Sequence, residues 1–563
     1  IPSVFFSWTG AVLDSKIPLL RSDKKIKEAT LRLLKLTGIP AASVTSTLGC
    51  EQEYFVIDRA WRNLRPDLVM AGRTVFGNQP PKGQELQDHY FGSVKDRILA
   101  FMHDFELRAI RLGIPVKTRH NEVAPAQHEV APVFERSSIA VDHNILLMEL
   151  MRQIAVKHNL CCLLHEKPFH DVNGSGKHCN WSLATDTGIN LLDPTDTPEN
   201  NLHFLILVTA ILNAVHQHSA LLRASVGSAS NDFRLGGHEA PPAIISVYLG
   251  EEIEGVLHNI EKNGSHTRSG TKNKYDLGIH VTPDLTKEST DRNRTSPMAF
   301  TGNKFEFRAV GASANPAFPV TVLNAIVAES LNRMLDEIEH KLGKTNAANK
   351  DKLLQAALPV VQKYLKASRS VRFAGDNYSD EWRKEASKRN LPNIKKAIDA
   401  FEALKTKKTA EAFEGILSSL ELQSRYDVLA ETYSHTVNIE TKLMIDLFHT
   451  QVLPAALKQQ KMISESILSY QTATGDKKKP SQQMDLLKEI SKNIETGIKI
   501  AEDLEKTRKK ASEIEALPAR GKAFSEKVLP LGEDLRNIVD KLESKIEDNL
   551  WTLPKYRELL FVL

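Results

Sequence analysis

The sequence has few cysteines, no apolar run long enough to cross a membrane and no large surplus of charge of either sign. Four cysteines (Cys50, Cys161, Cys162, Cys179) in 563 residues are too few to staple a chain of this size, and the adjacent pair at 161 and 162 lacks metal-ligand spacing. That usage suits a reducing, cytoplasmic setting. The longest apolar stretch, Phe204 to Val215, contains Thr209 and Asn213 and falls short of the roughly 18 residues a membrane span needs; a buried helix is expected there. A net charge of +4, with 41% hydrophobic and 26% charged residues, is ordinary for a globular protein and calls for neither disorder nor a nucleic-acid partner. No repeat of fixed period is visible. No charged leader precedes an apolar segment, and the first residue is Ile1, so the sequence is expected to begin inside a longer protein. A phosphate-cradling P-loop is missing too: Gly176 and Lys177 supply its Gly-Lys pair, but Asp171 stands where its first glycine belongs and His178 where its serine or threonine belongs.

What is present divides in two. At this length two or more domains are expected. Up to about residue 345, short alternating segments such as EYFVID, NGSGKHCNWS, RLGGHEAPPA and GNKFEFRAVG sit among Gly- and Pro-rich turns and read as a sheet with connecting helices. From 346 to 563 the texture is Lys/Glu-rich with helical spacing, as in Leu487, Ile490, Ile494, Ile498 and in Val528, Leu531, Leu535, Ile538, Leu542, Ile546. The fold class is therefore α+β over 1–345, followed by a mostly α-helical region. TATGDKKKPSQQ, at 472 to 483, reads as an exposed connector.

On a strand, residues i and i+2 share a face. Glu51 and Glu53 in GCEQEYFVID therefore project together. His178, Asn180 and Ser182 in KHCNWSL share a face, with Cys179, Trp181 and Leu183 on the other. Lys304, Glu306 and Arg308 in NKFEFRAV make a cation–carboxylate–cation ladder opposite Phe305 and Phe307, suited to a highly charged substrate. TRHNEVAPAQHEVAPVF repeats EVAP and adds Glu122 and Glu129 around a Pro125 turn. Five glutamates and a histidine beside hydrophobic residues would each be costly if left isolated. Divalent cations would relieve that cost, and carboxylates with so little sulfur suit magnesium or manganese better than zinc.

Six motifs, GCEQEYF, HNEVAPAQHEVAP, NGSGKHCNWS, RLGGHEAPP, DRNRTSP and NKFEFR, occur in the order found in glutamine synthetases, and over about residues 45 to 320 the chain resembles that family. DHYFGS, KTRHNEVAP, HEKPF, RFAGDNYSDEW and LPKYRELLF extend the resemblance to its long type III branch nearly end to end. The resemblance implies a catalytic domain built on a curved antiparallel sheet. It also implies an ATP-dependent ligation of ammonia to glutamate through γ-glutamyl phosphate, with two or more magnesium or manganese ions per site.

By the same resemblance, Glu53, Glu122 and Glu129 hold the metal beside glutamate and ammonia, and Glu51, His178 and Glu306 the metal bridging the ATP phosphates. Arg234 and Arg308 grip glutamate, Asn173 and Gly174 line its amino-acid end, and Arg294 meets the transferred phosphate. Lys304, Asn180 and Ser182 face ATP. Glu239, on a flap preceded by Gly236-Gly237, closes the site and helps deprotonate ammonium. Glutamate, ammonium and ATP are the implied partners, with a homo-oligomer of stacked rings, a dodecamer of two hexamers, and neither nucleic acid nor membrane.

Two departures stand out. Ala299 replaces a second arginine of the best-known pattern. No DGSS-like segment supplies the family's ammonium-binding aspartate, so the amino-terminal β-grasp domain is expected to be absent and the chain by itself to bind ATP weakly and make little glutamine. A non-catalytic relative with a structural or regulatory role and a γ-glutamyl-amine ligase are the alternatives.

Overall fold

Period-two alternation with aromatic and β-branched residues builds the strands. The computed structural model describes residues 3–263, 274–275, 285–286, 295–343, 350–475 and 480–561. Among them are β1 (Val44–Asp58), β2 (Val116–Asn121), β3 (Gln127–Pro132), β4 (Glu135–Arg136), β5 (Leu160–Leu163), β6 (Lys177–Thr185), β7 (Val247–Tyr248), β8 (Lys274–Tyr275), β9 (Leu285–Thr286), β10 (Met298–Phe300) and β11 (Phe305–Phe307). Nine strands form one sheet in the order β2-β3-β1-β6-β11-β10-β7, with β4 and β5 also paired to β1; β8 pairs only with β9. The sheet is antiparallel as expected, except at its edge, where β7 and β10 run parallel. The third expected ladder is shorter than its alternation suggests: β11 spans three residues, and Lys304 and Arg308 flank it.

The principal helices are α1 (Lys16–Thr37), α2 (Asp96–Arg111), α3 (Ser137–Lys157), α4 (Leu202–Ser225), α5 (Ala317–Leu342), α6 (Lys350–Ala367), α7 (Ser419–Leu447), α8 (Leu453–Thr474), α9 (Ser481–Ser512), α10 (Leu529–Glu543) and α11 (Tyr556–Leu560). α4 is long and apolar enough to cross a membrane by length and composition, but it lies inside the protein against α5 and α6, and every residue from Phe204 to Val215 is buried. The expected connector between α8 and α9 starts at Gly475, whose left-handed φ of 63° ends α8; residues 476–479 lie outside the described ones. In α10 the apolar periodicity overshoots the helix: Val528 falls in a π-helical turn before it, and Ile546 lies beyond Glu543, though buried.

Strand alternation sorts β1 into two faces with different fates. On the back, Leu48 and Cys50 join Trp181 and Phe305 in a core filled by α4 and α5, where the Trp181 indole N–H donates to Asn324 Oδ1 at 2.9 Å. This core continues without a break into the helical region through Tyr426, Val437, Ile490, Leu504 and Leu535. Further along the back, Tyr54 and Val56 meet the apolar stripe of α2, Ile98, Phe101, Met102 and Phe105. On the front, Glu51 and Glu53 are followed by Phe55 and Ile57, which are covered by Phe169, Val172 and three residues of α11, Tyr556, Leu559 and Leu560.

Candidate active site

The register of the sheet gathers the polar side chains. Glu51 lies opposite His178, Glu53 opposite Glu129, Glu129 opposite His120, and Asn180 opposite Glu306. Opposed residues of antiparallel strands share a face with their side chains about 5 Å apart, so five strands, β2, β3, β1, β6 and β11, deliver these groups to one side. There they border a cavity of 160 Å³ lined by Glu51, Glu53, Glu122, Glu129, His178, Glu306, Asn173, Gly174, Asn180, Arg234, Glu239, Lys304 and Arg308, together with Tyr90, His120, Ala240 and Thr301.

Two groups in the cavity have the geometry of metal-ligand sets. Glu51, His178 and Glu306 form one and His120, Glu122 and Glu129 the other, each offering ligand atoms within 4.8 Å of one another. Their donors are carboxylate oxygens and imidazole nitrogens without thiolate, a set that fits magnesium or manganese. In the first, His178 Nδ1 lies 2.8 Å from Glu306 Oε1 and 3.2 Å from Glu51 Oε2. Asn180 Nδ2 donates to Glu51 Oε1 at 2.8 Å, and Arg308 Nη2 to Glu306 Oε2 at 2.8 Å. Burial opposes a charge on either His178 or Glu306, but their mutual hydrogen bond and attraction outweigh it, so the imidazole is held well above its ordinary pKa and the Glu306 carboxyl well below its own.

The second group is over-supplied with negative charge. Burial first, then the charges of Glu53 and Glu129, push the Glu122 carboxyl up to about 9, and burial also raises Glu129. The hydrogen bond to Glu129, with His120 Nε2 at 3.2 Å from Oε1, raises His120 to about 9 despite partial burial. Such carboxylates share protons unless a cation joins them. Glu53 lines the same cavity but stands outside this group, because its Oε2 accepts the main-chain N–H of Gly176. His120 completes the group geometrically. The two-residue spacing of His120 and Glu122 in TRHNEV carries the signal that would have found it.

Opposite the carboxylates stands Arg234, 3% exposed. Its guanidinium donates to the main-chain oxygens of Arg308 (3.1 Å) and Val310 (3.2 Å) and to Asn231 Oδ1 (3.4 Å), and among the described residues its Nε has no partner. A buried cation bonded only to neutral oxygens suits an anionic ligand. Gly176 permits its approach, since a Cβ there would overlap the guanidinium. The adjoining loop is braced: Gln127 Nε2 donates to Gly174 O (3.0 Å) and Ser175 Oγ (3.1 Å), while Asn173 Nδ2 donates to Gln127 Oε1 (3.2 Å). Glu239 follows Gly236 in a turn where His238 and Glu239 themselves adopt left-handed φ of 49° and 67°, a conformation that costs non-glycine residues about 1 kcal/mol or more.

One sequence expectation falls beside the cavity. Ser182 shares the face of Asn180 but does not line the cavity, because its hydroxyl is taken by Asn190 Oδ1 (2.6 Å) and Asn303 O (3.3 Å). Arg294 lies outside the described residues. Ala299 is buried directly opposite Glu306.

Comparison with known proteins gives two family matches, "glutamine synthetase, catalytic domain" over residues 24–245 and "glutamine synthetase C-terminal domain" over residues 356–471. The full chain aligns with Type-3 glutamine synthetase of Dictyostelium discoideum at 44% identity, covering 76% of that protein. It aligns equally completely with the glutamine synthetases of Bacteroides fragilis, at 41% identity over 77% of that protein, and of Butyrivibrio fibrisolvens, at 40% over 79%.

Proposed function

The chain belongs to the glutamine synthetase family, and from that premise we propose that the cavity in front of β1, β6 and β11 is where glutamate, ATP and ammonia meet. The chain is a glutamate–ammonia ligase, which joins ammonia to L-glutamate with the cleavage of ATP to ADP and phosphate. Arg234 and Arg308 orient the carboxylates of glutamate, and Asn173 and Gly174 border its amino end. Lys304 and Asn180 face the ATP phosphates, Ser182 supports them by holding Asn190 and Asn303, and Arg294 meets the phosphoryl group in transfer.

Magnesium or manganese, when bound by Glu51, His178 and Glu306 and by Glu53, Glu122 and Glu129 with His120 beside them, supplies the positive charge that phosphates and carboxylates need to approach one another. The side-chain carboxylate of glutamate attacks the γ-phosphorus, the bond to ADP breaks, and ammonia then attacks the acyl carbon as phosphate leaves. Glu239 takes the proton from ammonium and, with its flap, keeps water from the acyl phosphate between the steps. The boundary between catalytic and helical regions lies near residue 345. Stacked homo-oligomeric rings in the cytoplasm complete the reading, supported by four free cysteines and by exposed apolar side chains such as Phe5, Phe6 and Trp8.

The observation that carries this reading is the convergence of two carboxylate–histidine groups and a buried arginine on one cavity. In the complete protein, Glu306→Ala and His178→Ala are expected to lower glutamine synthesis by about a hundredfold or more while the circular dichroism spectrum stays that of a folded protein. Undiminished turnover in either variant would remove these residues from the site.

A further inference from the structure

We infer that Tyr556, on α11, is a positioning residue for glutamate: it holds the loop that carries Asn173 and Gly174 at the edge of the cavity. The inference rests on the reading of that loop as part of the glutamate site. Tyr556 is fully buried, and its hydroxyl meets three groups. The main-chain N–H of His170 and Arg536 Nη2 each donate to it at 3.0 Å. Its own hydrogen is therefore left for Thr74 Oγ1, 2.6 Å away, whose hydrogen passes to Pro168 O at 2.8 Å. One phenol thus ties the loop at Pro168 and at His170, so its placement is set in both directions of hydrogen bonding.

The ring reinforces what the hydroxyl begins. It meets Phe169 edge-on, with centroids 5.3 Å apart and planes at 85°. Phe169 and Val172 in turn pack with Phe55 and Ile57, the front-face residues that follow Glu53 on β1. Between these anchors the chain passes through Asp171 with a left-handed φ of 58°, which a non-glycine residue keeps only where its surroundings hold it. The next step is Asn173, whose N–H donates to Gln84 Oε1 at 2.7 Å. Arg536 fixes the other side, donating to Val75 O (3.2 Å) and Gly77 O (2.9 Å). Among the described residues, Glu51, His178 and Glu306 make their side-chain hydrogen bonds and ion pairs with one another, with Asn180 and with Arg308, on β1, β6 and the end of β11, and Lys304 lies beside β11, apart from this network. Loosening the loop should therefore weaken glutamate binding and spare ATP binding and phosphoryl transfer.

Steady-state kinetics on the complete protein test this. Tyr556→Phe keeps the ring and removes the hydroxyl, and the loss of a buried hydrogen bond predicts a KM for glutamate raised about fivefold, with kcat and the KM for ATP within about twofold. An unchanged glutamate KM, or parallel rises for ATP and glutamate with a fall in kcat, overturns the positioning role. Asn173→Ala separates this from failure of the underlying reading. If it leaves the glutamate KM unchanged, the loop is not a glutamate site and both fall; if it raises that KM while Tyr556→Phe does not, only the positioning role falls. Should Tyr556→Phe not fold, the isosteric Thr74→Val, which breaks the same relay to Pro168, carries the same test with the same outcomes.

Discussion

Glu543 shows how one buried carboxyl links stability to pH. It is 3% exposed near the end of α10, and burial, reinforced by Asp540 and opposed by Arg65, pushes it up to about 7. A carboxyl whose folded pKa exceeds its unfolded value of about 4.5 binds its proton more tightly in the folded state. The folded protein is then favoured below pH 4.5 and loses that advantage as pH rises through 7. Glu543→Gln keeps an acceptor for the Asn78 N–H (3.1 Å) without the charge. It should raise the free energy of unfolding by roughly 3 kcal/mol at pH 8, a difference that shrinks toward zero near pH 4.5; urea denaturation at the two pH values checks it. At this scale much of the site is legible in the sequence, because i, i+2 spacing alone aligns Glu51 with Glu53 and His178 with Asn180. What spacing cannot supply is the partner across the strand. The proximity of Glu53 to Glu129 and of His120 to Glu129 depends on register, which tertiary packing selects. Likewise nothing local reveals that the Glu53 carboxylate turns toward Gly176 or that the Ser182 hydroxyl is consumed by Asn190.

Among the elements, α9 offers a case in which two ordinary effects oppose each other. Gly497 lies inside this helix, where alanine is intrinsically better by about 1 kcal/mol. A Cβ there would come within 2.8 Å of two atoms of the fully buried Phe448 ring, and overpacking a filled core costs about 1–3 kcal/mol. The clash should win: Gly497→Ala is expected to lower the unfolding midpoint, whereas a helix governed by propensity would gain stability. Elements with strong periodicity were readable, α9 through Ile490 and Ile494 and the polar and apolar faces of β6 through KHCNWSL. The limits of α10 and the brevity of β11 were not, since a π-helical turn and a three-residue strand leave the apolar spacing almost unchanged.

For the whole molecule, a divalent cation seated beside Glu122 would meet a surplus of negative charge, so that its binding and proton release would be one event. With Glu122 pushed up to about 9 by burial and by Glu53 and Glu129, and His120 raised to about 9 by its bond to Glu129, both hold protons at pH 7 that a divalent cation must displace. Manganese affinity should rise between pH 7 and 9 by up to about tenfold per proton displaced for each pH unit. Chelation should lower the thermal midpoint and manganese restore it; calorimetric titration in buffers of different protonation enthalpy counts the protons. An affinity independent of pH over that range would contradict the assignment. The unbroken core shared by sheet and helical region could not be foreseen from the change of texture near residue 345, because composition reports where helices begin and not what they lie against. The bond from Tyr556 to His170 has a consequence in time as well. Its two ends are 386 residues apart, so at ribosomal speeds of about 5–20 residues per second the loop is made roughly 20–80 s before the side chain that ties it down. A nascent chain can already have β1 and β6 paired while the loop of residues 168–174 hangs loose, and a protease that clips the segment bearing Tyr556 from a finished molecule returns it to that state.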